Sequence, residues 1–354
     1  MLALLKRTAS LIFGLALAAL ATPSRAADAT GLAAQPGCDL SFRVTALSAT
    51  TITGAAGLSG KGKMVGTSGA GVAATWREKQ GLAQLGTLGG NTSRGLAINE
   101  RGRVAGASTV SPDSTDAHAF VWTPDSGVKD LGTLGGATSS AAAINNRHRV
   151  VGAAQTPSGD VHAFLWSGDG GMQDIDTFGS SSSAAAAIND GGVVAGTYAG
   201  ASGDRAFVWT AKDGMRDIGT LGGTTATAAG IDKRRRIVGA STTAGGTSHA
   251  FLWSDGSGMV DIGSLGGDSA ALALNSHLQV VGQFIAADGG AHAFLWTRRC
   301  GMFDLNTVIG SSTTATLASA TAINDGGRIV AADGDGNTYL LVPQISAALV
   351  TSGG

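Results

Sequence analysis

The side chains best suited to proton transfer or metal binding recur about once every 44 residues. His118, His162, His249 and His292 each open an Ala-Phe-(Val or Leu)-Trp segment, and Arg205 holds the same place in a further copy. Imidazole nitrogens are common zinc ligands, but all ligands of one zinc ion lie about 2 Å from it. Because these histidines are spread one to a repeat, we interpret them as structural positions that bond a neighbouring loop or repeat unit.

The carboxylates follow the same pattern. The only two glutamates, Glu78 and Glu100, fall in predicted turns, whereas a glycosidase needs two carboxylates roughly 5–9 Å apart. The sequence therefore predicts no catalytic residue, no metal site and no cofactor. Five repeats also carry an aspartate a few residues after the Trp, which we expect to cap a turn. These residues are Asp130, Asp174, Asp217, Asp261 and Asp304.

One segment begins like a calcium-binding loop. Asp333, Asp335 and Asn337 alternate with glycines, as oxygen ligands do at the start of an EF-hand loop. That loop needs glycine at position six and glutamate at position twelve, where this chain has Thr338 and Gln344. We interpret the segment as a hairpin turn.

The repeat itself predicts the elements that position these residues. All six tryptophans lie on it, with spacings of 46, 44, 43, 44 and 43 residues: Trp76, Trp122, Trp166, Trp209, Trp253 and Trp296. Each unit contains an Ala-rich strand ending in Ile-Asn, a Val-Val-Gly strand, the Phe/Trp strand and an Asp-Leu-Gly-Thr-Leu strand, as in 130–134. Asn and the Gly three residues later favour a tight hairpin. Four short strands in this period are typical of a β-propeller blade.

Counting the strands predicts one all-β domain over 42–342, a seven-bladed propeller of four-stranded antiparallel blades. The chain starts with a fourth strand at 43–47 and ends on a third at 338–341. The N-terminal strand therefore closes the last blade and leaves no open sheet edge. Cys38 precedes that strand and Cys300 lies in a turn of the preceding blade, so we predict a disulfide that clasps the closure.

The N-terminus has the pattern of a secretory signal peptide. Lys6 and Arg7 precede an apolar run over 11–21, and small residues surround Arg25, which predicts cleavage near Ala26. We expect 1–26 to be the signal peptide, 27–41 a linker and 343–354 a tail. Paired cysteines favour an oxidising compartment, so we predict a periplasmic, cell-surface or extracellular protein without a transmembrane segment in the mature chain.

Together, the His-Ala-Phe, Leu-Gly-x-Leu-Gly-Gly and Ala-Ile-Asn-x-x-Gly-x-Val-Val-Gly motifs resemble the bacterial HAF-family extracellular repeats. The resemblance covers roughly 42–342, and the glycine pairs and tryptophans are also similar to kelch repeats. The first unit lacks the Phe and the Asn, and the seventh lacks the Trp. The resemblance implies an exported repeat protein and brings no known reaction or catalytic residue.

The predicted topology separates charges between the two faces of the ring. One face holds the turns between first and second strands, with Arg147, Arg149 and the run Lys233, Arg234, Arg235 and Arg236. The opposite face is rich in aspartates, including Asp113 and Asp116 within the loop 109–117. Solubility explains such a surface; the alternative is that the basic face docks an anionic polymer and the acidic face takes a small polar ligand or a cation.

We expect a non-catalytic binding or surface-interaction propeller whose partner is an anionic polysaccharide or a cell-envelope protein. The chain has 24 Lys and Arg against 25 Asp and Glu, a formal net charge of −1, which gives no general attraction to nucleic acid. Two alternatives remain: a hydrolase or lyase acting on extracellular polysaccharide at the central channel, and a purely structural envelope protein. The hydrolase requires unlike acid, base or metal-binding groups at one channel mouth.

Overall fold

The computed structural model describes residues 38, 40–47, 52–176, 178–309 and 315–344. Within these ranges the chain forms seven sheets of four antiparallel strands, and the first strand of each sheet contacts that of the next around a ring. The protein is therefore a seven-bladed β-propeller, which confirms the predicted fold. The predicted signal peptide at 1–26 lies outside the described residues, as do most of the linker at 27–41 and of the tail at 343–354.

The four strands of six blades run outward from the ring axis in chain order, and in the seventh blade the outermost strand comes from the N-terminal end of the chain. The first strands are β2 (Thr53–Leu58), β6 (Ser93–Ile98), β10 (Ser139–Ile144), β14 (Ser183–Ile188), β18 (Gly222–Ile231), β22 (Ser269–Leu274) and β26 (Leu317–Ile323). The second strands are β3 (Met64–Thr67), β7 (Val104–Thr109), β11 (Val150–Gln155), β15 (Val194–Gly200), β19 (Ile237–Thr243), β23 (Gln279–Ile285) and β27 (Ile329–Asp333). The third strands are β4 (Ala73–Arg77), β8 (Ala117–Thr123), β12 (Val161–Ser167), β16 (Gly203–Thr210), β20 (Ser248–Ser254), β24 (Ala291–Thr297) and β28 (Thr338–Pro343). The fourth strands are β5 (Gly81–Gln84), β9 (Gly127–Asp130), β13 (Gly171–Asp174), β17 (Gly214–Asp217), β21 (Gly258–Gly263), β25 (Gly301–Asp304) and β1 (Phe42–Leu47).

The N-terminal strand closes the ring as predicted. Strand β1 pairs antiparallel with β28, with Phe42 opposite Pro343 and Leu47 opposite Thr338. Cys38 and Cys300 form the predicted disulfide, with their Cα atoms 5.9 Å apart. The bond joins the segment before β1 to the turn between β24 and β25, so a covalent link ties blade seven to blade six.

The core lies between the blades rather than inside each one. Phe164 and Trp166 of the third blade pack against Ala105 and Val121 of the second, and the same arrangement recurs around the ring. The side chain of Phe164 is fully buried. Since a single four-stranded sheet cannot bury its own apolar faces, each blade depends on its neighbours for stability.

The glycine of the Val-Val-Gly motif is required by close packing. A Cβ atom on Gly152 would lie 2.0 Å from the carbonyl oxygen of Ser140 and 3.0 Å from the ring of Phe164. Strand β10 carries a register shift between Ala141 and Ala143 at this point. The glycine therefore lets a bulged inner strand and a large aromatic side chain meet at one place.

One predicted element was displaced along the chain. The sequence predicted the fourth strand of the second blade at 130–134, but β9 ends at Asp130. The residues after it form a loop, in which Gly132 has φ +76°. In blade two the Leu-Gly-Thr-Leu segment therefore connects blades instead of forming a strand, with Leu131 buried between them, whereas in blade five β21 continues to Gly263.

The described ranges contain one 3₁₀ turn, Leu305–Thr307, and no α-helix. None of their helical segments is long and apolar enough to cross a membrane.

Candidate functional site

The alternating strand directions place the connections on two faces. The turn face holds the connections from first to second and from third to fourth strands, and the loop face holds all others. On the turn face the repeated Asn closes each first turn: Asn145 Oδ1 accepts hydrogen bonds from the N–H groups of Arg147 and Arg149 at 3.0 and 2.9 Å. This confirms the predicted role of the Asn in the turn.

The same asparagines also join neighbouring blades. Asn145 Nδ2 donates to the carbonyl of Asn189 in the next blade at 3.0 Å. In the same way, Asn99 Nδ2 donates to the carbonyl of Asn145 at 3.0 Å. These buried residues form an interblade ring, which we call the Asn belt: Asn99, Asn145, Asn189, Asn275 and Asn324. Buried amides whose oxygen and nitrogen are both hydrogen-bonded stabilise the ring and fix the position of each blade.

In blade five an ion pair makes the contact to the next blade. Asp232 replaces the Asn, and its carboxylate has no N–H to donate to blade six. Instead, Arg236 Nε donates to Asp232 at 2.6 Å, and Arg236 Nη2 donates to the carbonyl of Ser276 at 3.2 Å. The Asp232 side chain is 2% exposed, so this arginine is part of the interblade contact.

A second, more exposed set of interblade contacts lies one residue further along several of these turns. The N–H of Gly60 donates to Glu100, that of Asn146 to Asp190 and that of Ser276 to Asp325. Burial raises the pKa of Asp325, but hydrogen bonds from Ser276 and the nearby charges of His277 and Lys233 lower it overall. These carboxylates are held by the backbone of the preceding blade.

Three residues of this set, Glu100, Asn146 and Asp190, lie at the mouth of the central channel on the turn face. A depression of about 220 Å³ is lined by Glu100, Asn146, Asp190 and Lys233. The mouth therefore brings unlike charged groups together, a property that the near-symmetric repeat did not predict. No cluster of three metal-ligating side chains occurs in the described ranges.

The channel behind this mouth is wide and mainly apolar. It has a volume of about 1350 Å³ and is lined by the small side chains of the first strands, such as Ala97, Ala143 and Ala187. Ile98 and Ile231, which directly precede Asn99 and Asp232, line both the channel and the mouth depression. An aliphatic collar therefore separates the two spaces.

The predicted basic residues do lie on the turn face, but they differ in accessibility. Lys233, Arg234 and Arg147 are exposed, and among the described residues they form no ion pair within 4.0 Å. Arg235 lies 3.5 Å from a carboxylate oxygen of Asp255. The buried pair of Arg236 thus leaves only part of the predicted cluster free to meet a ligand.

Arg149 extends over the next blade. Its Nη1 lies 2.6 Å from where a Cβ atom on Gly192 would be. The glycine leaves room for the guanidinium, so Arg149 packs against the fourth blade instead of standing free. Blade three therefore presents Arg147 as its exposed cation.

Three cations of the turn face lie over tryptophans of the following blade. Lys63 Nζ is 5.6 Å from the ring centroid of Trp122. Lys129 Nζ lies 5.1 Å from that of Trp166, and the Arg216 guanidinium lies 5.2 Å from that of Trp253. Cation–π contact of this kind holds each cation at a blade boundary.

On the loop face the repeated histidines bond within their own blade. His118 Nδ1 lies 2.9 Å from Asp130 Oδ2, and His162 Nδ1 lies 2.6 Å from Asp174 Oδ2. The same pair is formed by His249 with Asp261 and by His292 with Asp304. The structural interpretation is confirmed, but the main partner is a strand of the same blade. The aspartates also accept a backbone N–H two residues on, as predicted for turn caps.

Burial acts to lower the pKa of His162, but the hydrogen bond and charge of Asp174, followed by the charge of Asp176 and the carbonyl of Ser180, raise it overall. The imidazole is thus held toward its charged form. Its Nε2 contacts the carbonyl of Ser180 at 3.1 Å, so both ring nitrogens are engaged. Acid–base catalysis needs a ring nitrogen directed at a substrate, and His162 offers none.

Blade four carries the exception on this face. Arg205 forms two hydrogen bonds of 2.9 Å with Asp217, and the Tyr198 hydroxyl donates to the same carboxylate at 2.7 Å. Burial and then the hydrogen bond to Asp217 raise the pKa of Tyr198 to about 12. Arg205 therefore replaces the histidine as a bidentate partner.

The remaining predicted acidic positions are also on the loop face. Asp113 and Asp116 are exposed in the connection between β7 and β8, so the structure places them opposite the basic residues rather than beside them. The calcium-like segment is a hairpin turn, as interpreted. Asp333 accepts hydrogen bonds from the N–H groups of Asp335 and Asn337 and from the Tyr339 hydroxyl.

Comparison with known proteins supports the fold alone. No protein-family model matches the sequence, and no curated protein matches it either. The β-propeller domain of the Trilobed protease from Pyrococcus furiosus shares 9% identity over 80% of this chain and 91% of that one, with a TM-score of 0.52. A puromycin hydrolase mutant shares 12% identity over 80% of this chain and 51% of that one, with a TM-score of 0.54.

TolB from Acinetobacter baumannii shares 13% identity over 68% of this chain, with a TM-score of 0.47. The matched region spans 63% of TolB and 51% of the puromycin hydrolase. The chain thus corresponds to less than two thirds of each of these two proteins.

Proposed function

We propose that this protein is an exported, non-catalytic propeller of the HAF-repeat type that binds an anionic polysaccharide of the cell envelope through its turn face. The observation that carries the proposal is the group of exposed cations on the turn face, one of which, Lys233, lines the depression at the channel mouth. Arg147, Lys233 and Arg234 stand on a rigid ring and form no ion pair within 4.0 Å in the described ranges. Fixed cations on one face raise the local concentration of a polyanion and speed its association.

The acidic groups of the same face support binding rather than catalysis. Glu100, Asp190 and Asp325 each accept a backbone N–H from the preceding blade at 2.7 to 2.8 Å. A general acid or base must reach the proton that it transfers, whereas these oxygens are used to hold the ring together. The charges left for a ligand at the turns are mainly positive.

Export is supported by the disulfide between Cys38 and Cys300, since such bonds persist mainly in oxidising compartments. We expect the mature protein to begin after Ala26. Amino-terminal sequencing of the protein recovered from the periplasm, the cell surface or the medium measures this, and an unprocessed chain that stays in the cytoplasm would contradict it.

The binding test uses polygalacturonate, a carboxylated polysaccharide, and neutral dextran as its control. We expect the mature protein to be retained on immobilised polygalacturonate at low salt and released as salt increases, because exposed charges are screened. The variant carrying Lys233→Ser and Arg234→Ser should bind about fivefold more weakly. Lys212→Ser removes an exposed cation of a third–fourth turn and serves as the matched control.

Each outcome separates the functional classes. Retention on both polymers, or retention that the double variant leaves unchanged, would overturn the proposed basic surface. Shortening of the polygalacturonate during incubation would favour the hydrolase or lyase. Absence of binding to a panel of acidic polysaccharides would overturn the proposal and favour a purely structural protein.

A further inference from the structure

Charged and aromatic side chains meet at the boundary between blades two and three on the turn face. This group, here called the Trp166 groove, is defined by Arg103, Lys129, His148 and Trp166. Lys129 Nζ lies 5.1 Å from the centroid of Trp166, and the imidazole of His148 meets the same ring edge-on at 5.6 Å. Lys129 is exposed and Arg103 half-buried, while Trp166 is 4% exposed. The tryptophan is a buried support for a surface cation.

His148 is one of three non-glycine residues at this place in the repeat, together with Arg235 and Leu278, where the other four repeats have glycine. It has φ +63°, a left-handed conformation that Gly102 and Gly192 adopt in the equivalent turns. A non-glycine residue there is strained. Its Nε2 is buried and makes no hydrogen bond within the described residues. Burial and then the charges of Arg103 and Lys129 lower the pKa of His148, with no carboxylate opposing them.

The equivalent boundary between blades four and five, the Trp253 groove, has its charges neutralised. Arg216 lies over Trp253 as Lys129 lies over Trp166, and Arg235 has the left-handed conformation of His148, with φ +64°. Here Asp255 bonds Arg216 and also lies 3.5 Å from Arg235. One carboxylate thus serves both cations.

Blade three carries the carboxylate of this turn one residue later, at the exposed Asp169, which forms no ion pair within 4.0 Å in the described ranges, so the place of Asp255 itself is vacant. Asp255 follows Trp253 by two residues, and Gly168 follows Trp166 by two residues. A Cβ atom on Gly168 would meet nothing within 4 Å, and its φ is not left-handed. The Trp166 groove therefore has room for a counter-charge at the place where the Trp253 groove supplies its own.

We propose that the Trp166 groove is the subsite that binds the anionic substituent, a carboxylate or a sulfate ester, of one sugar unit of the polymer. This inference rests on the proposed function and adds to the exposed cations of 233–234 a defined subsite between blades two and three. The guanidinium of Arg103 offers paired donors suited to a planar or tetrahedral oxyanion, and Lys129 adds a second positive charge. The bound anion takes the place that Asp255 occupies in the other groove.

The experiment follows the imidazole of His148 by NMR in the full mature protein. Galacturonate, galactose 6-sulfate and neutral galactose are titrated separately, and His148→Gln assigns the resonance. Because an anion in the groove opposes Arg103 and Lys129, we expect either charged sugar to move the His148 titration midpoint upward, while galactose leaves it unchanged. A shift with galacturonate only identifies a carboxylate site, and a shift with the sulfate only identifies a sulfate-ester site.

The decisive variant places in the Trp166 groove the carboxylate that Asp255 supplies in the Trp253 groove. Gly168→Asp should weaken binding of the charged sugar about tenfold, because the new carboxylate competes for Lys129. Gly168→Asn has nearly the same shape without the charge and should bind almost as the wild type does. The reciprocal variant, Asp255→Asn, frees Arg216 and Arg235 and should add a second, weaker site.

The results that would overturn this subsite differ from those that would overturn the proposed function. If neither charged sugar moves the His148 midpoint, or if Gly168→Asp and Gly168→Asn bind equally, the subsite is overturned. Should polygalacturonate still be retained and lost only with Lys233→Ser and Arg234→Ser, the proposed function stands without this groove. A His148 shift without polymer retention supports the anion subsite and overturns the polymer as its source.

Discussion

Two polar positions recur around the ring, and they stabilise it in different ways. The Asn belt on the turn face is buried and joins adjacent blades, as Asn145 does with Asn189. The His–Asp pairs on the loop face are partly exposed and join two strands of one blade, as His162 does with Asp174. Repetition alone therefore does not tell what a polar residue does. Burial and the identity of the partner decide how much each contributes to stability.

The largest loss of stability is expected in blade five, where an ion pair takes the place of the belt asparagine. Arg236→Ala leaves the buried carboxylate of Asp232 without its cation and removes the donor to Ser276. We expect a loss of about 3 kcal/mol in the free energy of unfolding, measured by urea denaturation. Arg149→Ala, at the same point of blade three, is the matched control and should cost less than about 1 kcal/mol. Equal losses would show that the ion pair is not special.

The second-largest loss of stability is expected when an asparagine of the Asn belt is substituted. Asn145→Ala removes one interblade hydrogen bond and leaves two N–H groups of its own turn without an acceptor. We expect a loss of about 2 kcal/mol. Asn145→Asp keeps the acceptor and stands beside Arg149, as Asp232 stands beside Arg236, so it should cost less. If Asn145→Ala unfolds at the same urea concentration as the wild type, the belt is not a source of stability.

A smaller effect is expected when blade five is returned to the common pattern. Asp232→Asn keeps an acceptor for the turn and supplies the N–H that the other belt members donate to the next blade. We expect stability within about 1 kcal/mol of the wild type, because a buried ion pair can be replaced by uncharged partners at little cost. A loss as large as that of Arg236→Ala would mean that the pair is needed for more than its hydrogen bonds.

The smallest effect is expected on the loop face, and it depends on pH. The pKa of His162 is raised in the folded protein, so its pair with Asp174 contributes stability below the unfolded pKa of about 6.5. That contribution disappears as pH rises through the folded pKa. A double-mutant cycle of His162→Gln and Asp174→Asn should give a coupling of up to about 1 kcal/mol at pH 5.5 and almost none at pH 9. A coupling that grows with pH would contradict the assignment.

Much of the architecture could be predicted from the repeat. The period, the Ile-Asn turn and the Phe/Trp strand fixed the number of blades, the strand order and the closure by β1. The displaced fourth strand had a physical cause. Leu131 and Gly132 continue an apolar pattern typical of strands, but Gly132 has φ +76° and the segment crosses between blades.

The candidate site was predicted only in part. The sequence placed the basic residues on one face, but it did not separate the exposed Arg234 from the buried pair formed by Arg236. His148 did carry a signal, because it stands where four of the seven repeats have glycine, although Arg235 and Leu278 share that distinction. Its contact with Trp166, and the position of Lys129 over the same ring, depend on packing between two blades.

The sequence by itself determined the repeat, the strand order, the closed ring and the sides on which the charges lie, because these follow from local periodicity and from alternating strand directions. Only the tertiary structure decided which charges are neutralised. Asp255 reaches Arg216 across 39 residues, and no partner of that kind reaches Lys129 among the described residues. Such pairing depends on distances between side chains of different blades, and the spacing of residues along one repeat does not encode those distances.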